Sequence, residues 1–253
     1  AEDIDIMQDI LSLVERWNKA LGVLRKSEAP TRLMSEMSRV NTIIRDSLND
    51  TFSQITVDDE TMYNEIRSYV HAIKPDIFML AEAEELNLFD RAFDMGYAWE
   101  IHHMMCDIAH GERRVWDLRN TMYADREKYP SSAMRMMFTS NHDENSWSGS
   151  EFYRFGPALE VMTALTFVWE AAMPLIYTGQ EIGYDHTFAF FDRDPIKQYE
   201  FNEHTEIYRK LIALKHSQAA LQAGERGGRT IEIENNAKDC MMTFVREVEG
   251  SRV

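Results

Sequence analysis

Three short apolar runs, each delivered into a polar loop, constrain this chain more than any other feature. They are Ile77-Phe-Met-Leu80, Met134 to Thr139, and Pro174-Leu-Ile-Tyr177. The first enters Glu82-Ala-Glu-Glu85, the second Ser140-Asn-His-Asp-Glu-Asn145, and the third Thr178-Gly-Gln-Glu181. Helical patterns over about 151–169 and about 205–216 separate or follow them. Continuous apolar strands set between amphipathic helices imply a parallel sheet covered on both faces. The polar residues then fall just beyond the C-terminal ends of the strands, where α/β sheets and barrels place their active sites.

The first 75 residues read differently. Met7, Ile10, Val14, Trp17, Leu21 and Leu24 put one apolar stripe on a helix over about 4–26, and Leu33, Met37, Val40, Ile44 and Leu48 do the same over about 30–48. Phe52 to Val57 alternates as a short strand, and a further helix over about 60–73 ends at Lys74-Pro75. At the other end, Thr230 to Glu234 and Met241 to Val245 read as the beginning of an antiparallel β domain. The expected division is 1–75 mainly helical, 76–223 α/β, and 224–253 β.

Composition narrows the function classes. With 44% apolar residues among 253, the chain can bury a sizeable core, which excludes general disorder. Its 43 acidic against 27 basic side chains give a net charge of −16, which argues against a polyanion-binding surface. Cys106 and Cys240 form neither a disulfide framework nor a metal-ligand spacing. No apolar run approaches the ~18 residues of a membrane span, and Ala1-Glu-Asp3 is no signal peptide, so no membrane partner and a cytoplasmic location are expected. The chain starts without Met, which suggests a fragment or a processed product.

Glu82 and Asp143 are the candidate catalytic residues. Cleaving a glycosidic bond needs a carboxylic acid to protonate the leaving oxygen and a carboxylate to meet an oxocarbenium-like centre. His142, beside Asp143, could donate a hydrogen bond to a sugar hydroxyl, and Trp99 and Trp147 could stack on sugar rings. The competing reading makes the acids helix caps and solvated loop charges, and the tryptophans core. Asp58 and Asp59 precede a helix and a further strand, an order that could place a nucleophile ahead of Glu82, although Asp is also a leading N-cap type. Adjacent histidines point apart on a helix, so His102-His103-Met-Met-Cys106 reads as packing, and Gln180-Glu181 reads as a structural hydrogen-bonding element.

Phe78-Met-Leu-Ala-Glu82-Ala-Glu84, Phe138-Thr-Ser-Asn-His142-Asp143-Glu-Asn145 and Pro174-Leu-Ile-Tyr-Thr-Gly-Gln-Glu181 resemble the later motifs of the α-amylase family of glycoside hydrolases, in that family's order. The resemblance covers about 74–253. It implies α/β strands five to eight of a partial (β/α)8 barrel and the start of the family's C-terminal β domain. It also implies an α-glucan or oligosaccharide substrate and no cofactor or metal. By the same resemblance Glu82 is the general acid/base, Asp143 the transition-state-stabilising carboxylate and His142 its hydrogen-bonding neighbour. The family's nucleophile, an Asp in a Gly-Phe-Arg-x-Asp type motif, has no counterpart, and a half barrel leaves two open edges for self-association.

Before residue 74 the chain resembles the ribonuclease E/G family instead. Leu13-Val-Glu-Arg-Trp17, Ala29-Pro30, Arg45-Asp46 and Ile55-Thr-Val-Asp58-Asp59 through Tyr69 carry the likeness, over about 1–73. It lacks that family's metal-binding aspartates and zinc-link cysteines, so RNA is a partner only under an alternative, RNA-processing reading. The hand-over at His71-Ala-Ile-Lys-Pro75 also admits a fused or misassembled chain with no function of its own.

Overall fold

A computed structural model describes residues 59–253 apart from residue 239. The helices expected over 4–26 and 30–48, the strand over 52–57 and the candidate Asp58 lie outside the described residues.

Helix α1 spans Asp59–Ile73 and ends at Lys74-Pro75, as its sequence dictates. It docks through Arg67, which donates to the Ala92 carbonyl at 3.0 Å and to Asp94 Oδ1 at 2.8 Å. Asp94 Oδ2 accepts from the Met79 amide, so one carboxylate holds α1 and the first strand together at the entrance to the second.

Four parallel strands form the central sheet, β1 (Leu80–Ala81), β2 (Met95–Tyr97), β3 (Met134–Met137) and β4 (Ala172–Pro174), in that spatial order. The register pairs Ala81 with Gly96, Gly96 with Arg135, and Arg135 with Ala172. Between them run α2 (Trp99–Ala109), α3 (Val115–Lys128), α4 (His142–Ser148), α5 (Glu151–Phe155) and α6 (Leu159–Val168), followed by α7 (Glu203–Ser217). The single helix expected over 151–169 is divided by Gly156, at φ +47°, and Pro157, both within the 3-10 turn Gly156–Ala158.

The sheet is clad by helices on one side. Met137 and Ala172 pack with Ile101 and Met105 of α2, Leu118 and Met122 of α3, Phe155 of α5, Leu159 and Met162 of α6, and Trp169. The opposite face carries a strand-derived cluster of Met95, Tyr97, Met136 and Phe138, with Trp99, Met134 and Leu175 against it. Among the described residues, where cover on both faces was expected, one face carries the helical layer and the other this smaller cluster. Period-two alternation explains the split: Met134, Met136 and Phe138 face one way, and Arg135 and Met137 the other. Among the described residues neither β1 nor β4 has a second strand neighbour. The Lys215 ammonium occupies the Ala172 carbonyl at 2.8 Å, which blunts the free edge of β4.

A three-stranded antiparallel sheet closes the chain: β5 (Arg229–Glu232), β6 (Phe244–Val248) and β7 (Ser251–Arg252). Arg246 of β6 is buried and donates to the carbonyls of Gly228 at 2.8 Å, Val168 at 2.7 Å and Trp169 at 2.5 Å. The last two are carbonyls that a helix C-terminus leaves without intrahelical partners.

Gly96 is where the chain after β1 crosses β2. A Cβ there would lie 2.2 Å from Phe89 Cζ and 2.7 Å from the Ala83 carbonyl oxygen. Backbone cannot yield as a flexible side chain can, so Gly96→Ala should cost about 1–3 kcal/mol. Urea unfolding followed by circular dichroism measures it; an unchanged midpoint would show that the crossing is looser than these distances.

Candidate active site

Glu82 follows β1 directly, and Asp143 lies in the first turn of α4, four residues beyond Thr139 at the exit of β3. The α4 terminus is set by Asn141, whose side chain accepts from the Glu144 amide at 2.8 Å. That cap turns His142 and Asp143 toward β1. His142 Nε2 lies 3.9 Å from Glu82 Oε1 and 3.7 Å from Asp143 Oδ2. One ligand atom from each of the three side chains falls within 4.8 Å of the others, a spacing that could converge on one cation or on one sugar ring. The Glu82 side chain is 54% exposed and that of Asp143 35%, so both open to solvent.

Tyr97, at the end of β2, forms the floor. Burial pushes its phenol up, and the charges of Glu82 and Asp143 push it further, which places it electrostatically in the same site. Trp99 stacks on Tyr97 with centroids 5.5 Å apart and on His103 at 5.9 Å. It thus stands one ring back from Glu82. Trp147, at the far end of α4, is 66% exposed and touches Phe190 and Phe191. Asp59 is the first residue of α1.

Beneath the carboxylates lies a buried polar network that sequence reading treated as packing. His102 is fully buried; its Nδ1 is 3.0 Å from the Phe138 carbonyl and its Nε2 3.2 Å from Arg154 Nη1. Arg154 donates to the Thr139 carbonyl at 2.7 Å, to Ser140 Oγ at 3.0 Å and to the Gly149 carbonyl at 3.0 Å. Gln180 donates to Thr139 Oγ1 and to Glu151, and Thr139 Oγ1 donates to Glu151 at 2.8 Å. The loop after β4 is thereby bolted to the exit of β3, in agreement with the structural role expected of Gln180.

The two adjacent histidines do not point apart. His102 Nε2 and His103 Nε2 lie 3.3 and 3.6 Å from opposite oxygens of Glu144. Both sit at the start of α2, where one carboxylate rising from the facing α4 can reach between the rings. Burial drives the His102 imidazole down, which favours its neutral form. Burial opposes the charge on Glu144, yet the His102 contact, the Arg154 charge and the Ser148 hydroxyl hold its carboxyl at about 2. Burial raises the Cys106 thiol, 3.7 Å from His102, to about 11, so it is no nucleophile at neutral pH.

Solved structures similar to this chain share its fold. A maltogenic α-amylase from Thermotoga neapolitana matches with a TM-score of 0.65 at 18% identity, covering 76% of this chain and 43% of its own. An α-amylase from Lactobacillus plantarum matches at 0.60 and 22%, covering 75% and 47%. A cyclic α-maltosyl-(1→6)-maltose hydrolase from Arthrobacter globiformis, in complex with maltose, matches at 0.60 and 18%, covering 76% and 44%. The chain spans less than half the length of each of these three. The ribonuclease E/G family model matches residues 1–105, past the limit of about 73 read from the motifs, through α1, β1 and β2 and into α2.

The low Glu144 value carries a pH signature. A carboxyl held at about 2 when folded against an ordinary 4.5 contributes stability that is fully present above about 4.5 and lost as pH falls toward 2. Glu144→Gln should therefore lower stability at pH 7 and flatten its decline between pH ~5 and ~2. Thermal melts across that range check the slope; parallel curves for the two proteins would remove Glu144 from the account.

Proposed function

We propose that residues 76–223 form the second half of an α-amylase-type (β/α)8 barrel, with β1 to β4 as strands five to eight, and that the site takes α-glucans. The convergence of Glu82, His142 and Asp143 at the exits of two parallel strands carries this reading. Glu82 protonates the glycosidic oxygen as the bond breaks, while Asp143 holds sugar hydroxyls and stabilises the positive charge that develops at the anomeric carbon. His142, between them, donates to a hydroxyl of the same sugar. Desolvation of the half-exposed Glu82 comes with the sugar itself.

The geometry also limits the chemistry. With carboxylate oxygens within 4.8 Å, there is no room for the water that a one-step inverting hydrolysis places between carboxyls ~6.5–9.5 Å apart. Hydrolysis here needs a covalent nucleophile, and the motif that supplies it in the α-amylase family is missing. The full chain should therefore bind maltooligosaccharides yet release reducing sugar at or near background. Turnover that disappears in Glu82→Gln would overturn the inactivity and make Asp58 and Asp59 the nucleophile candidates.

The family-model match over residues 1–105 favours a second reading, an RNA-processing segment. Without that family's metal-binding aspartates, a 5′-monophosphorylated oligonucleotide should survive incubation with the chain and Mg²⁺. Cleavage that copurifies with the protein and is abolished by chelator would reverse that expectation.

A further inference from the structure

Arg135 of β3 is a buried cation with donors left over. Period-two alternation turns it onto the helix-clad face of the sheet, where its side chain is 1% exposed. Its Nη2 donates to Glu84 Oε1 at 2.7 Å, and the guanidinium lies over the Tyr129 ring, 3.8 Å from the centroid. Nη1 has no hydrogen-bond partner among the described residues. Neither has Nε, although Asp125 Oδ1 of α3 stands 3.3 Å from it. Leaving the N–H groups of a buried charge without acceptors is costly enough that folded proteins rarely do it.

The same side chain lines a cavity of about 290 Å³, walled by α3, the stretch after α6 and the loop 224–229. Glycine keeps the loop close: a Cβ at Gly227 would collide with the Gln222 carbonyl and come within 3.1 Å of Arg246 Nη2. That Arg246 nitrogen, buried behind the glycine, also lacks a partner among the described residues. On the α3 wall, Arg126 and Glu170 are spent on each other through two hydrogen bonds. Arg229 is exposed and belongs to the rim.

The geometry points to a binding site for a small oxyanion, a carboxylate or a phosphate, seated in this cavity against Arg135 Nη1. The unpartnered nitrogens of Arg135 and Arg246 are all N–H donors on cations, so an acceptor-rich anion suits them and an amine does not. The volume limits the ligand to a small one, since sites for drug-sized molecules run from ~300 to ~1,000 Å³. The acids on the walls oppose an anion less than their number suggests. Arg126 neutralises Glu170, and burial lifts the Asp125 carboxyl to about 6, so it gives up its charge more readily than a surface aspartate. The inference does not depend on the α-glucan reading.

Titration calorimetry of the full chain at about pH 6 with inorganic phosphate and, separately, with malonate tests this, at an ionic strength fixed by sodium chloride. Saturable binding of at least one anion is expected at millimolar concentration or below, and the one that binds tells phosphate from carboxylate. Arg135→Lys keeps the charge but loses the Nη1 donor, and should weaken binding about tenfold. Arg229→Ala should weaken it about threefold, while Arg209→Ala, which removes an exposed cation on α7, leaves it unchanged. Circular dichroism shows whether Arg135→Lys remains folded; where it does not, the exposed Arg229→Ala carries the test. Failure of both anions to bind saturably overturns the site. Binding that a folded Arg135→Lys or Arg229→Ala leaves unchanged overturns it too, and so does equal weakening in Arg209→Ala, as a diffuse effect of net charge.

Discussion

The Arg154 guanidinium holds the candidate site in shape. Buried and charged, it must find hydrogen-bond acceptors or leave a large desolvation cost uncompensated. It finds them at the Thr139 carbonyl and Ser140 hydroxyl of the β3 exit and at the Gly149 carbonyl between α4 and α5, and it lies 3.2 Å from His102 Nε2 on α2 and 3.9 Å from Glu144 of α4. Those segments are the ones whose relative placement decides where His142 and Asp143 point. The α4 cap at Asn141 acts within that frame, and Gln180 extends it to the β4 loop. A site open to solvent is thus positioned by groups that solvent does not reach.

A second pair of cations does the same for the periphery. The α6 C-terminus offers carbonyls at Phe167, Val168 and Trp169; Lys215 of α7 reaches the first, and Arg246 of β6 the other two. Burial pushes the Lys215 ammonium down to about 8, with the Arg246 charge acting the same way. It remains a good donor to three carbonyls, those of Phe167, Ala172 and Leu221. The antiparallel sheet and α7 are therefore attached through helix-end electrostatics as well as through apolar contact.

The parallel sheet was legible because its apolar runs enter polar loops, although the pairing is offset from those runs: Leu80 and the following Ala81 at the first, and Pro174 with the two residues before it at the third. Strand β2 was not legible from pattern. Met95-Gly-Tyr97 is three residues with a glycine at its centre, required by the crossing chain at Ala83 and Phe89, so a steric demand erased the hydrophobic signal. Helices α2 and α3 were missed with it. Glu82, His142 and Asp143 stood out because each sits just past an apolar strand. The His102–Glu144–Arg154 network did not, since His102 lies 42 residues before Glu144 and 52 before Arg154 and meets them only when β2 and β3 are brought side by side.

The bonds around the candidate site are local to the parallel strands and the helices beside them. Among the described residues, hydrogen bonds from neighbouring strands and helices fix the chain beside Glu82 and Asp143. Asp94 anchors the Met79 amide ahead of β1, Arg135 fixes Glu84 at 2.7 Å, and Asn145 fixes the Phe190 loop. Glu82, His142 and Asp143 are thus brought together by strands and helices within the described residues. The residues ahead of β1 fall within the stretch that the ribonuclease E/G family model matches, residues 1–105. Retaining chemistry depends on a second carboxyl at a fixed, short distance across the sugar. With ligand atoms of Glu82, His142 and Asp143 within 4.8 Å of one another, the described residues supply two closely set carboxyls, and the Asp94, Arg135 and Asn141 bonds decide how the strand exits present them.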